Sequence, residues 1–284
     1  MQRLKAGVIS LLRKLGVLNR AYAAYETLQS WRSPERRRSD DGLSVPPPRL
    51  LVAVAGTPNV EWFLESGRRG ADSIAEAAER NGRPLASLSS LLDFGCGCGR
   101  VIRHWQDLEL AAHGSDYNGK LIEWCRRHLP FGTFTTNALV PPLPYDDDTF
   151  DLVYALSVFT HLPEELQLPW MDELRRVLAP GGLLLVTTHG DAYLDELTAS
   201  EREQFWRGEL VVRRDDMVGT NLCASFHPKE YVGGTLSRGL DLLELIPRGA
   251  KGNPHQDLVV LRRPGLRSRG ARESARPGAS GVSP

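Results

Sequence analysis

Between residues 90 and 188, short apolar runs alternate with longer amphipathic ones, and this alternation leaves the chain few folds to choose from. Ser90–Phe94 and the runs 111–116 (AAHGSD), 132–137 (GTFTTN), 150–159 (FDLVYALSVF) and 183–188 (LLLVTT) have strand lengths and apolar or β-branched character. Residues 100–107, 120–128 and 163–178 read as helices. In the last of these, Glu164 and Glu165 suit the positive N-terminal end and Arg175 and Arg176 the negative C-terminal end, and PGG at 180–182 stops it. Strand, helix, strand in this order predicts a parallel sheet covered on both faces. After residue 190 the pattern changes. Residues 210–226 read as a β-hairpin insertion and 227–238 as a helix. The runs 240–247 and 256–263 read as two strands joined by a short Gly/Pro-rich connection, hence antiparallel. The expectation is an α/β, doubly wound sheet of about seven strands, mostly parallel, with a terminal antiparallel pair.

The formal charge is +0 but unevenly spread. Residues 1–38 carry nine Lys/Arg against two Asp/Glu, and residues 262–284 six against one, so the middle is strongly acidic. A nucleic-acid-binding domain carries its basic surface on the fold, and none is expected here. Leu4, Val8, Leu11, Leu15, Leu18, Tyr22 and Tyr25 form a heptad-spaced seam. It predicts an N-terminal helical extension, which fits packing on its own domain, self-association or a peripheral membrane contact. Residues 36–48 are linker-like by composition. The organisation predicted is helix and linker over 1–48, a main domain over 49–263 with a cap segment at 49–88, and a disordered Arg/Gly/Ser/Pro-rich tail over 264–284. Four scattered cysteines, no secretory signal and no apolar run of about 18 residues predict a cytoplasmic protein.

Asp93-Phe94-Gly95-Cys96-Gly97-Cys98-Gly99 follows the first strand of the alternation, which puts it at the carboxyl edge of the sheet, where open α/β folds bind ligands. Its glycines let backbone approach a ligand closely, and the helix after it offers free N–H groups to an anion. The next strand ends in Asp116, a carboxylate placed to accept hydrogen bonds from both ribose hydroxyls. Loop and acid together read as a nucleoside site. A metal reading of Cys96 and Cys98 supplies two thiolates where structural zinc takes four ligands, so no metal is expected. Small, slightly apolar side chains that fit a tight loop account for both cysteines.

The G-x-G-x-G spacing, with an acid two residues before the first glycine, resembles motif I of the class I S-adenosylmethionine (SAM)-dependent methyltransferases. GSDYN (114–118) resembles their second motif, residues 136–162 (TNALVPPLPYDDDTFDLVYALSVFTHL) their third to fourth strands, and residues 173–188 (ELRRVLAPGGLLLVTT) their fifth-strand motif. The resemblance spans about residues 85–263. It implies a Rossmann-like fold and SAM as cofactor. It further implies that Asp93 lies near the methionine amino end, that Gly95, Cys96, Gly97 and Gly99 line the methionine and ribose, and that Asp116 holds the ribose hydroxyls. Tyr117 is implied to flank the adenine, Asn137 and Ala138 to occupy the adenine-reading position, and Ser157 to line the methyl-donor end. Asn137 stands where the family often has an acid; its side-chain oxygen can accept the same hydrogen bond without charge. Longer phrases such as LLDFGCGCGRVIRHW and NLCASFHPKEY resemble a bacterial subgroup, some of whose members accompany glycan-assembly enzymes.

Methyl transfer to a hydroxyl needs a base. His161, after the fourth strand, ranks first, His189, after the fifth, second, and His227 is also available. For each, a loop-ordering hydrogen bond is the competing role. ALSV (155–158) replaces the NPPY-type tetrapeptide of amino methylation, which counts against a DNA adenine or glutamine methyltransferase, and the subgroup resemblance implies a hydroxyl oxygen on a small-molecule or sugar acceptor. Two other readings stand beside it: an NAD(P)-binding oxidoreductase, against which the glycine spacing and the lack of Tyr-x-x-x-Lys count, and a non-catalytic SAM-fold partner subunit. Asp146, Asp147 and Asp148 read as a solvated turn, Asp151 as structural, and Trp105, Trp124 and Trp170 as packing residues.

Overall fold

The computed structural model describes residues 38–265 apart from 219, 221 and 254; the heptad seam and nearly all of the C-terminal tail lie outside the described residues. In chain order the elements are α1 (Pro48–Ala55), α2 (Val60–Arg80), β1 (Ser90–Phe94), β2 (Ala111–Asp116), α3 (Gly119–His128), β3 (Gly132–Thr136), β4 (Phe150–Ala155), α4 (Glu164–Val177), β5 (Leu178–Thr188), α5 (Ala199–Trp206), β6 (Val211–Arg213), β7 (Ala224–Phe226), α6 (Lys229–Tyr231), β8 (Asp241–Ile246) and β9 (Asp257–Arg262). A 7-stranded sheet runs β3-β2-β1-β4-β5-β9-β8. β1 to β5 are parallel, and β9 is antiparallel to both β5 and β8. The last strand therefore slots between the fifth and its own hairpin partner. β6 and β7 form the separate antiparallel pair expected of the insertion.

Strand side chains alternate between faces, and the two hydrophobic clusters divide accordingly. Leu91, Leu152, Tyr154, Leu183, Leu185 and Val260 pack on the side of α1, α2 and α3. Leu92, Val153, Ala155, Leu184, Val186 and Leu261 pack on the side of α4 and the α6 region. Both faces are covered, which is why these strands read as unbroken apolar runs. α2 buries Phe63, Gly67, Gly70, Ala71, Ile74, Ala77 and Ala78, a stripe at helical spacing. Asn59 caps it, its side chain accepting from Trp62 N at 3.0 Å. Small residues in the stripe let the helix lie close: a Cβ at Gly70 would come within 3.3 Å of both Leu156 and Val101.

Four local expectations meet a different outcome. Residues 100–107 hold only a short 3-10 helix, Ile102–Trp105, so the glycine loop is not followed by a helix long enough to offer an anion site at its N-terminus. Pro180-Gly181-Gly182 does not separate helix from strand. β5 starts at Leu178, which pairs with Phe150, and Leu183 then pairs with Leu152, so the intervening residues bulge out of register. The helix expected over 227–238 is one α-turn followed by a π-helical stretch, Val232–Leu236. Residues 38–47 are not a detached linker: Ser39 and Val45 are buried, and Asp41 pairs with Arg103 at 2.7 Å. The aspartates of the 146–148 turn sit as anticipated at the surface, Asp147 and Asp148 paired with Arg176 and Arg263. Asp151 accepts from Arg83 and from Ser89 N, a structural role, and Trp105, Trp124 and Trp170 are buried. Among the described residues no helix is long and apolar enough to cross a membrane.

The Arg103 side chain is 0% exposed. Its guanidinium donates to Asp41 Oδ2 (2.7 Å), Asp41 Oδ1 (3.0 Å) and Ser39 Oγ (2.6 Å). Burial works against the Asp41 charge, but the bonds from Arg103, Ser39 and Leu43 N outweigh it and hold the carboxyl at about 2. Removing one member of a buried pair strands the other charge, so Asp41→Ala should cost about 3 kcal/mol in urea unfolding at neutral pH. Because the folded pKa is depressed, the pair's contribution is complete above the ordinary value of 3.8 and disappears as the pH falls through about 2. A loss below about 0.5 kcal/mol, the range of an exposed pair, would contradict the buried clasp.

Candidate functional site

The main cavity opens at the carboxyl ends of β1, β2 and β4, where the strand order turns back between β1 and β4. The loop after β1 forms its floor. Gly95, Gly97 and Gly99 have φ of 78°, 56° and 78°, in the left-handed region. Space forbids a side chain there as well: a Cβ at Gly97 would stand 2.8 Å from Val54, and one at Gly95 would overlap Val158. The loop is bonded to the end of β2. Gly95 N and Cys96 N donate to Ser115 O at 2.7 and 3.0 Å, and Gly97 N donates to Asp116 Oδ2 at 2.9 Å. Asp116 Oδ1 accepts from Asn118 N at 2.8 Å. Burial raises Asp116 to about 6, against the pull of these two N–H groups. The thiols of Cys96 and Cys125 both point at Gly97 O, at 3.7 and 3.5 Å, so they fill the space under the loop.

Asp93 is buried at the end of β1. Burial pushes its carboxyl up to about 7, while bonds from Tyr154 and the charge of Arg100 pull the other way. Tyr154 in turn accepts from Trp105 Nε1 at 2.9 Å. Arg100 also lines the cavity, and its hydrogen bonds go to neutral groups: Ser66 Oγ (3.2 Å), Gly252 O (3.4 Å) and Asn253 Oδ1 (2.7 Å). Its guanidinium lies 5.8 Å from the centre of the Trp62 ring. The guanidinium has the Asp93 carboxyl as a charged neighbour but, among the described residues, no hydrogen bond to a carboxylate, which leaves its donors suited to a carboxylate entering the cavity.

At the far end, Ser157 follows β4 with φ 60°, an uncommon conformation for a non-glycine. Its N–H donates to Thr187 Oγ1 at 2.7 Å and its Oγ accepts from Gln256 Nε2 at 3.0 Å. His161 Nδ1 is 2.7 Å from Cys223 O, which fixes the proton on that nitrogen. Nε2 is left as an acceptor, 3.5 Å from Ser157 Oγ. Burial holds the imidazole below its ordinary 6.5, so it is neutral at neutral pH.

The fold thus brings Asp93, Gly95, Cys96, Gly97, Asp116, Tyr117, Asn137, Ala138, Ser157 and His161 onto one cavity. Gly99 and His189 are not on it. Gly99 sits beneath, where a Cβ would overlap Leu129. His189 is buried behind His161, its ring centre 6.2 Å away, with Nδ1 on Ser225 O (3.1 Å) and Nε2 beside Gln256 (3.4 Å). Sequence reasoning passed over Arg100, whose one visible signal was its place directly after the last loop glycine, and Gln256, which reaches the site from a distant hairpin and gave no signal.

The strand order and the placement of this cavity are those of a class I SAM-dependent methyltransferase fold. The match to known proteins agrees: residues 92–186 match the family described as "Methyltransferase domain". The chain is 28% identical over 172 residues to the malonyl-[acyl-carrier protein] O-methyltransferase of Enterobacter lignolyticus, covering 57% of this chain and 61% of that one. It is 29% identical over 219 residues to methyltransferase GfsG of Streptomyces halstedii, covering 69% and 70%. A SAM-dependent methyltransferase from Mesorhizobium loti shares the fold, with TM-score 0.51 and 18% identity over 67% of this chain and 98% of that one. Over residues 92–186 the chain is similar to a methyltransferase domain and its sheet shares the fold of a SAM-dependent methyltransferase, which counts against the oxidoreductase reading.

Because burial raises the Asp93 pKa, the wild-type fold loses stability as the pH rises through about 7, whereas an amide at this position does not titrate. In urea unfolding, Asp93→Asn should therefore gain on wild type by on the order of 2 kcal/mol between pH 5 and pH 8. An unchanging difference would mean that Asp93 is ionised throughout.

Proposed function

We propose that the domain transfers a methyl group from SAM to a hydroxyl oxygen of a small-molecule or glycan acceptor. The observation that carries this reading is the half-buried, neutral His161, held by Cys223 O so that a bare Nε2 faces the cavity beside Ser157. SAM supplies a methyl group on a sulfonium, an electrophile with a good leaving group. The residues present suit it: the glycine loop leaves room for a close backbone approach, Asp116 keeps acceptor capacity on both oxygens for ribose hydroxyls, and Arg100 would hold the methionine carboxylate and Asp93 the amino group. Asn137, Ala138 and Tyr117 would border the adenine; Asn137 Oδ1 already accepts from Ser115 Oγ at 2.6 Å.

His161 Nε2 takes the acceptor's hydroxyl proton, which raises the oxygen's nucleophilicity during an in-line displacement. Ser157, held by Gln256, aligns that hydroxyl. A carboxylate acceptor is ionised at neutral pH and would leave this base idle. The Enterobacter relative is named for methyl transfer to an oxygen, but a malonyl group offers a carboxylate, so its name supports an oxygen acceptor and not the hydroxyl. Since the chain spans only 61% of that relative's length, its acceptor is not carried over.

Asp116→Ala should weaken SAM binding by at least tenfold in calorimetry. His161→Ala should bind SAM normally and lose turnover by about 10²- to 10⁴-fold. The acid limb of kcat/KM in wild type should lie below pH 6.5, because the His161 pKa is lowered. The first experiment is transfer from radiolabelled SAM into fractionated cell extract. Label in the lipid or small soluble fraction supports the reading, label in protein replaces the acceptor, and a normal rate for His161→Ala removes the base.

A further inference from the structure

His189 lies behind the cavity wall, 7% exposed, and both of its ring nitrogens have polar neighbours of fixed chemistry. Ser225 O, 3.1 Å from Nδ1, is a carbonyl and can only accept, so Nδ1 carries the ring proton. Burial, with His161 and His227 close by, holds the imidazole down at about 3, so it takes no second proton. Nε2 is therefore a bare acceptor. The group in front of it is the side-chain amide of Gln256, 3.4 Å away. The NH2 of that amide has to face Nε2, because the amide oxygen would set lone pair against lone pair.

Asn253 sets the same orientation from the other side. Its Oδ1 accepts from Arg100 Nη2 at 2.7 Å, and a guanidinium can only donate. Asn253 Nδ2 is left to donate to Gln256 Oε1 at 3.2 Å. The buried Gln256 amide is thus oriented twice over, its oxygen towards Asn253 and its nitrogen towards His189 and Ser157 Oγ, the latter at 3.0 Å. Ser157 Oγ accepts that bond, so its own proton points elsewhere. Thr160 Oγ1 and His161 Nε2 are within reach, both at 3.5 Å and both on the short turn Phe159–His161. Bonds of that length are weak, and an oxygen bound in the cavity can take the proton in their place.

We propose that His189 is a positioning residue: through Gln256 it makes Ser157 a hydrogen-bond donor to the acceptor's hydroxyl oxygen and leaves that hydroxyl's proton to His161. The inference rests on the hydroxyl-acceptor reading above. Every valence of the acceptor oxygen is then assigned. Its proton goes to His161 Nε2, and one lone pair accepts from Ser157. The other attacks the methyl carbon, so that the O–C bond forms as the C–S bond breaks and the sulfonium becomes a neutral sulfide. Charge that builds on the oxygen as its proton leaves is met by the Ser157 donor. A serine free to rotate would offer its own lone pairs to the same proton and compete with the base. The left-handed backbone at Ser157 and the bond from its N–H to Thr187 Oγ1 keep the hydroxyl in place.

Two variants separate this role from support of the β6–β7 insertion. His189→Gln and His189→Phe both give up the Nδ1–H bond to Ser225 O, so they share whatever that bond gives the fold. Only the glutamine can present an oxygen where Nε2 stood. Transfer from radiolabelled SAM is followed over a dilution series of the extract fraction that the wild-type chain labels. His189→Phe should lose at least tenfold in maximal rate, with half-saturation and SAM affinity within twofold of wild type. His189→Gln should stay within threefold of the wild-type rate, and Gln256→Met, which removes the donor outright, should lose at least as much as His189→Phe. Equal rates in His189→Gln and His189→Phe, or a loss in half-saturation alone, would overturn the role. Nitrogen-15 NMR of the histidine-labelled chain needs no acceptor and should show the His189 ring neutral and protonated on Nδ1. A proton on Nε2 would turn the Gln256 amide round and overturn the role as well. A wild-type rate in His161→Ala removes the base and this role with it, whereas a wild-type rate in His189→Phe beside a slow His161→Ala overturns this role alone.

Discussion

The Ser115 carbonyl accepts from both Gly95 and Cys96 while the Asp116 carboxylate accepts from Gly97, and these bonds hold the loop after β1 to the end of β2. The arrangement needs three left-handed residues in alternation, which only glycine supplies without strain. It also sets the position of Asp116, because one carboxylate oxygen is tied to the loop and the other to Asn118 N. Asn118 then caps α3 through its side-chain oxygen on Lys120 N. One junction of backbone therefore places the loop, the acid and the start of the next helix together.

The parallel core was legible because burial on both faces writes itself into the chain as strand-length apolar runs separated by helical ones. The loop was legible because positive φ and close packing select glycine at fixed spacing. What escaped were groups whose partners are distant in sequence. Arg103 reads as an ordinary surface charge in 100–107 until Asp41, 62 residues away, is brought to it, and the linker-like composition of 38–47 concealed that segment's buried Ser39 and Val45. His189 sits one residue beyond β5 and was expected on the cavity; the β6–β7 pair, through Ser225, instead holds it behind His161. Sequence periodicity reports which face a residue occupies, and it is silent on which insertion will cover that face.

The β8–β9 connection ties the two ends of the site together. Asn253 and the Gly252 carbonyl hold Arg100, and Gln256, three residues on from Asn253, holds Ser157. Gly252 packs into α2 so closely that a Cβ would strike the Ser66 carbonyl, and Lys251 pairs with Glu76 at 2.5 Å on the same helix. A short hairpin loop thus sets the spacing between a guanidinium at one end of the cavity and a hydroxyl at the other, and a rigid spacing of this kind is what alignment for an in-line displacement requires.

The Asp41–Arg103 clasp has a mechanical side. The basic first 37 residues join the domain a few positions before Asp41, and Arg103 lies four residues after Gly99. The clasp thus fastens the stretch by which the chain enters the domain to the turn directly behind the glycine loop, so entry point and cavity floor share one charged anchor.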